Sequence, residues 1–352
     1  MKIFYAVQAT GNGHIARAKE IMPYLSQYGE VDVFLSGSNC HLPVDLPIKY
    51  RSKGLSLFYA PQGKLDYWRI GKELQLVQAI REAKSLPVHE YDIVINDFES
   101  ITALACLYRK KASIGFGHQA SFQSPLTPRP VKKDWLGEGI LRYFGWAKDY
   151  VGLHFDSYDK NIYNPIIKEQ VLRADPTNKG HITVYLPHYG LTTLQQEFSK
   201  LADVSFHIFS PLVKNPYREK NCAFIPVNNE AFTESMITCE GVITGAGFET
   251  PAETLYLGKK LMAIPIRGQY EQLCNAAALE QLNIKVINKI ESDFTEKISH
   301  WLNHSNHITI SLQHSTQQLI QLVINKGLAA NQDIINPLHT STNPLTGSAL
   351  FQ

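Results

Sequence analysis

Residues 241–276 constrain this chain more than any other stretch. Gly241-Val242-Ile243-Thr244 has the length and β-branched, apolar character of a buried strand, and it runs directly into a small-residue turn, Gly245-Ala246-Gly247. A helix begins after Phe248, with Thr250, Pro251 and Glu253 in its first turns. A second strand, 261–265, ends in a polar loop holding Arg267, Gln269, Glu271, Gln272 and Asn275. A glycine turn between strand and helix leaves backbone amides free at the helix N-terminus, where they and the helix dipole suit an anion such as a diphosphate. A carboxylate flanked by two amides suits vicinal hydroxyls, which need both donors and acceptors. Each of these residues alone has a plain structural reading as a cap or a solvated helix face. Together they predict a site for a nucleotide sugar.

The same strand–turn–helix period recurs on both sides of this stretch. Strands are expected at 2–9, 31–35, 55–58, 91–96, 112–116 and 150–155, with helices at 15–28, 70–84 and 100–108. After a break the alternation resumes, with strands at 181–186, 204–208, 223–226, 241–244, 261–265 and 285–287. Helices are expected at 191–201, 230–239, 251–257, 271–282, 291–302 and 309–326. Alternation of this kind means parallel, doubly wound sheets, and 352 residues are comfortable for two of them. The expected division is an N-terminal domain over 1–163, a linker at 164–178, a C-terminal nucleotide-sugar domain over 179–330, and a poorly ordered polar tail at 331–352. Ligands of such sheets sit beyond the C-terminal ends of the strands. His14, Asp97 and His118 all fall there.

Gly11-x-Gly13-x-x-Ala16 follows the first strand and has the outline of a dinucleotide fingerprint. That fingerprint wants an acid at the end of the second strand to hold a ribose. Here the strand ends Phe34-Leu35-Ser36-Gly37, so a nicotinamide oxidoreductase ranks last among the readings. Glycines that simply shape a tight turn are the plain alternative. His14 needs its own account. At a helix N-terminus a neutral imidazole is favoured, and it can take a proton from a hydroxyl. Asp97, in Ile95-Asn96-Asp97-Phe98-Glu99, can orient that imidazole as a third triad member does, or it can cap the helix starting at Ser100. Glu99 is the competing carboxylate. His118 faces the same rim, either toward an acceptor or toward a backbone partner. Residues 131–150 mix lysines with Trp135, Tyr143, Phe144 and Trp146; an acceptor groove and a membrane surface are open readings, and a core helix with a few exposed lysines is the plainer one.

Charge and cysteines narrow the function classes. Thirty-four Lys and Arg stand against 32 Asp and Glu, a formal charge of +2, with no basic run to track phosphates, so no nucleic-acid partner is expected. The five cysteines are scattered and form no CxxC, which reads as reduced thiols in a cytoplasmic protein rather than metal ligands or disulfides. The apolar run at 3–7 is too short for a signal segment or a membrane span. Peripheral contact at the inner membrane face stays open.

As a whole, the chain resembles the GT-B glycosyltransferases, which pair two Rossmann-like doubly wound domains across a cleft. The likeness is strongest to the plant-type UDP-glycosyltransferases and to the lipid-linked peptidoglycan N-acetylglucosaminyltransferase family. It is carried by Gly245, Gly247, Thr250, Glu253, Gly258, Pro265, Glu271-Gln272 and Asn275-Ala276, in order and at matching spacing. Gly11-x-Gly13-His14-x-x-Arg17-Ala18 resembles the acceptor-side glycine loop of the same families. A less characterised bacterial and archaeal group carrying GxGHxxRA and DFE near the front resembles nearly the whole chain. The resemblance implies transfer from a nucleotide-diphosphate sugar, with UDP favoured, by inversion and without a metal or other cofactor. In that pattern His14 is the base and Asp97 its partner, with Gly11, Gly13 and His118 on the acceptor side. Gly245, Ala246, Gly247, Phe248 and Thr250 hold the diphosphate, Arg267 offsets its charge, and Glu253 holds the ribose. Gln269, Glu271, Gln272 and Asn275 surround the donor sugar, and the base lies against the backbone of Phe224, Ile225 and Pro226. The departures are Glu-Gln where the families carry Asp-Gln, and the bulky Phe248-Glu249 that follow the turn, where the relatives vary. The acceptor is open among polysaccharide (as in the cell envelope), lipid-linked saccharide and small molecule. A nucleotide-sugar 2-epimerase and a non-catalytic nucleotide-sugar binder are the competing readings.

Overall fold

Two seven-stranded sheets organise the molecule. The computed structural model describes residues 1–9, 12–37, 46–54, 76–305 and 307–335. The first sheet contains β1 (Lys2–Gln8), β2 (Glu30–Ser36), β3 (Ile48–Ser52), β4 (Ile93–Asp97), β5 (Ile114–Gly117), β6 (Asp149–Leu153) and β7 (Ile162–Tyr163), in the order 3-2-1-4-5-6-7. All its pairings are parallel. The second contains β8 (His181–Tyr185), β9 (Ser205–Ser210), β10 (Tyr217–Glu219), β11 (Cys222–Pro226), β12 (Gly241–Thr244), β13 (Lys260–Ala263) and β14 (Lys285–Val286), in the order 10-11-9-8-12-13-14. Only β10–β11 is antiparallel. Strand order therefore reverses between β1 and β4 in one sheet and between β8 and β12 in the other.

The described helices are α1 (Asn12–Leu25), α2 (Leu76–Ser85), α3 (Ser100–Arg109), α4 (Trp135–Tyr143), α5 (Glu169–Leu172), α6 (Leu191–Phe198), α7 (Asn229–Thr238), α8 (Glu249–Tyr256), α9 (Tyr270–Gln281), α10 (Phe294–His304) and α11 (Thr316–Ile335). Strand β1 shows why the sheets are sandwiched. Ile3, Phe4, Tyr5, Ala6 and Val7 are all fully buried, as a parallel strand covered on both faces requires. Its odd residues pack with Ile15, Ala18 and Ile21 of α1, and its even residues with Ala79, Ala83 and Ile101 of α2 and α3. Each such large side chain contributes about 1.5–3 kcal/mol when fully buried. The described cysteines, Cys106, Cys222, Cys239 and Cys274, are free and buried. No described helix is long and apolar enough to cross a membrane.

The strand at 55–58 and the start of the helix at 70–84 lie outside the described residues, and the unforeseen β3 is a polar edge strand that alternation alone did not mark. Residues 164–178, expected as a linker, are ordered. They hold α5, and Asn164 is clasped to His314 through both its amide and its carbonyl. The last helix starts at Thr316 rather than 309 and packs on the first sheet, not the second. Lys326 Nζ lies 2.7 Å from Asp149, Asn331 donates to Asp92 O, and a Cβ on Gly327 would stand 2.7 Å from Ile93. Its apolar face, Leu319, Ile320 and Val323, was readable from helical spacing, but spacing does not say which sheet that face covers. The tail from residue 336 lies outside the described residues.

Candidate active site

The strand reversal in the first sheet sets the ends of β1 and β4 side by side, with Val7 opposite Asp97. Helix α1 opens just after β1 and carries His14 and Arg17 one turn apart, on the same face. Both converge on Asp97. His14 Nδ1 lies 2.8 Å from Asp97 Oδ1; Arg17 Nη2 lies 2.7 and 2.9 Å from the two Asp97 oxygens, and its Nε 3.2 Å from Oδ2. The three residues are 8, 4 and 1 % exposed. Burial alone would raise the Asp97 carboxyl, but the charges of Arg17 and His14 overcome it and hold it below its ordinary value. Burial likewise opposes the Arg17 charge, and Asp97 and Glu249 more than restore it. With Asp97 ionised, His14 Nδ1 carries the hydrogen and donates it. Nε2 has no hydrogen-bond partner among the described residues.

Capping of α3 falls to the other carboxylate. Glu99 accepts from Ile101 N at 2.8 Å and Thr102 N at 2.6 Å, and Asn96 clasps it through two further bonds. Phe98 between them takes φ 56°, a conformation a bulky residue adopts only when its surroundings impose it. That turn separates a structural carboxylate from the one that holds His14.

In the second sheet β12 delivers the glycine turn. A Cβ on Gly247 would meet nothing within 4 Å, and Phe248 at the N-cap of α8 supplies no side-chain bond, so the first amides of α8 have no capping group. The cavity beside them is built from both halves. Gly13, Ala16 and Lys168 line one wall, Glu249 and Thr250 the end nearest the turn, and Tyr185, Phe232 and the loop Val227-Asn228-Asn229 the far end. Of the backbone expected at this far end, Phe224 is a core side chain, fully buried, while Ile225 and Pro226 are half-buried just ahead of the lining residues. Glu253 sits behind the wall, 2 % exposed, with Lys168 Nζ 3.2 Å away. Burial drives its carboxyl up to about 7, with Lys168 pulling against the rise.

His118, expected at the strand-end rim with either an acceptor or a backbone partner, is 1 % exposed in the seam between the halves. Its Nε2 lies 2.8 Å from Asn275 Oδ1 and its Nδ1 3.1 Å from Leu153 O, and its ring stacks on Phe248 at 4.0 Å. Burial lowers it to about 3. Asn275, fully buried, also donates to Ala246 O, tying the glycine turn to the first half. Phe248 and Asn275 thus act in the seam. Gln272 is spent internally on Ile266 N and Gln269. Glu271 accepts from Gln119 at 3.1 Å and is half-buried, and Arg267 is exposed. Gly11 lies outside the described residues. Arg17, Lys168 and Glu249 were not singled out beforehand. Only Arg17 left a signal, its i+3 spacing from His14.

Residues 148–304 match the family model described as glycosyl transferase family 1, a range that takes in the whole second sheet. The chain is a glycosyltransferase of GT-B fold. Solved structures agree on the architecture. The glycosyltransferase is similar to Arabidopsis thaliana UGT89C1, solved with UDP, at 12% identity and a TM-score of 0.55, over 96% of this chain and 98% of that one. It is similar to Phytolacca americana UGT2, solved with UDP-2fluoro-glucose and pterostilbene, at 13% identity and a TM-score of 0.56, over 96% and 95%. Streptomyces nogalater SnogD gives 13% identity and a TM-score of 0.50, over 92% and 99%. No curated protein sequence matches the chain.

Proposed function

We propose that this glycosyltransferase moves a sugar from a UDP-sugar to an acceptor hydroxyl, with inversion and without a metal. The observation that carries the reading is the buried His14–Asp97 pair at 2.8 Å, with His14 on the helix whose Gly13 and Ala16 line one cavity with Glu249 and Thr250 at the uncapped N-terminus of α8. His14 Nε2 takes the acceptor proton as the acceptor oxygen bonds to C1 of the sugar. The C1–oxygen bond to the diphosphate breaks, and its electron pair leaves with the diphosphate. A single displacement inverts C1. Asp97 stabilises the imidazolium that forms. The amides of α8 meet the charge of the leaving diphosphate, so this route needs no metal and no other cofactor. Glu253 with Lys168 serves the ribose, and Glu271 and Gln269 the donor sugar. Uridine is favoured because two of the similar structures are named with UDP or a UDP-sugar.

The acceptor is a saccharide or lipid-linked saccharide, met at the cytoplasmic membrane face. In support, residues 131–136 are exposed in one run, with Trp135 81 %, Val131 107 % and Leu136 50 % exposed beside Lys132 and Lys133. That surface runs into α4, whose Leu141 packs into a core cluster, and it suits an anionic bilayer interface. Incubation with UDP-sugars and an acceptor panel tests the reaction: UDP release that depends on His14, with an inverted anomeric centre by proton NMR, is expected. Release unaffected by His14→Ala, or a retained anomer, overturns it. Failure to pellet with anionic vesicles removes the membrane clause.

A further inference from the structure

Arg17 divides its guanidinium between the two halves of the molecule. Nε and Nη2 hold Asp97 on the first sheet, while Nη1 reaches Glu249 Oε1, 2.5 Å away, on the first turn of α8. Gly13 makes room for this, since a Cβ there would stand 2.7 Å from Glu249 Oε2. Gly13 and Glu249 both line the shared cavity. A carboxylate therefore occupies the mouth of the uncapped helix, matched to a buried cation, at the place where the reading above puts the donor's diphosphate. The Glu249 side chain is 26 % exposed against 3 % for Arg17, so the carboxylate can leave toward solvent while the guanidinium cannot. A buried guanidinium left with an unfilled edge is costly, and another anion at that edge removes the cost. The fork geometry of arginine accepts carboxylate and phosphate oxygens alike.

We propose that Glu249 is a resident anion which the donor's diphosphate displaces from Arg17. On binding, a phosphate oxygen takes Nη1 and the Glu249 carboxylate turns outward, while Asp97 keeps the other edge of the guanidinium. Arg17 is then a donor-binding residue and also the positioning residue for Asp97 and His14. Glu249 lowers donor affinity in return for a cation that is never left unpaired. The proposal rests on the UDP-sugar reading.

The test is calorimetric binding of UDP, and of uridine, to the full chain as wild type, Glu249→Gln, Arg17→Gln and Arg17→Lys, each first shown to melt cooperatively. Exchange predicts that Glu249→Gln tightens UDP about tenfold, the size of one modest charged contact, and leaves uridine unchanged. Arg17→Gln weakens UDP by about tenfold or more, again with uridine unchanged, and Arg17→Lys falls between. UDP binding that Glu249→Gln weakens or does not alter overturns the exchange while leaving the donor site standing. Failure of UDP to bind wild type and every variant overturns the UDP-sugar reading itself.

Discussion

The two sheets share one strand plan, yet they furnish their points of strand reversal in opposite ways. The first supplies side chains: His14, Arg17 and Asp97, each under a tenth exposed and joined through the Asp97 carboxylate. The second supplies backbone, a glycine turn and helix amides without a cap. The difference follows from the tasks proposed for them. A base must be held in one tautomer and one orientation, which needs buried, over-determined contacts. A diphosphate needs amides that nothing else has already satisfied. A doubly wound sheet thus fixes where chemistry happens, and the residues at the turn decide what kind it is.

If that division is right, damage to the first site should appear in kcat and damage to the second in donor binding. The largest effect is expected for His14→Ala, a fall in kcat of about 10²–10⁴-fold with UDP affinity kept, the range for losing a general base. Steady-state kinetics alongside calorimetry checks it, and a donor KM effect with kcat intact would break the comparison. Asp97→Asn should follow His14→Ala, because an amide at that position no longer stabilises the imidazolium. Next comes Glu253→Ala in the second site. At a hundred times its dissociation constant, UDP should raise the stability of the wild type by about 2.7 kcal/mol, and the variant should lose that gain. A melting shift by UDP that survives Glu253→Ala would take the ribose role from this residue.

The backbone site was the more legible of the two in the sequence. Glycines, a strand and a helix start are local signals, so Gly245 to Glu253 could be read in one pass. The His14–Asp97 pair spans 83 residues and joins only through strand order, which no spacing rule encodes. Asp97 and Glu99 were indistinguishable until the positive φ of Phe98 sent one to cap α3 and the other to His14. Lys168 could not be found at all. It is one lysine in a proline-flanked connector, and only the docking of that connector brings it to Glu253. His118 stayed open between an acceptor and a backbone partner for a related reason: a strand end lies on the rim of its own sheet, and only the second half closing over it settles which contacts it makes.

The smallest effects concern pH, and here buried histidines and buried carboxyls differ in sign. Burial holds His118 at about 3 and His154 well below its ordinary value. Unfolding lets both bind protons below about 6.5, so their contribution is present above that pH and is lost as pH falls. Glu253 is raised from 4.5 to about 7. Its contribution is fully present below the unfolded value and is lost as pH rises through about 7. Between about pH 5 and 6.5 the lowered histidines, among them His118, His154, His188 and His207, outweigh the raised carboxyls Glu99, Glu253 and Glu271, and the wild type should lose stability on acidification. Each fully shifted group is worth about 1.4 kcal/mol per pH unit. Glu253→Gln should steepen the loss by up to about that amount, because it removes one opposing group. His118→Phe, which keeps the stack on Phe248, should flatten it by a similar amount. Urea unfolding across this window reads both slopes. A Glu253→Gln slope no steeper than that of the wild type would mean that Lys168 holds Glu253 ionised, and that the second site, like the first, keeps a fixed charge at neutral pH.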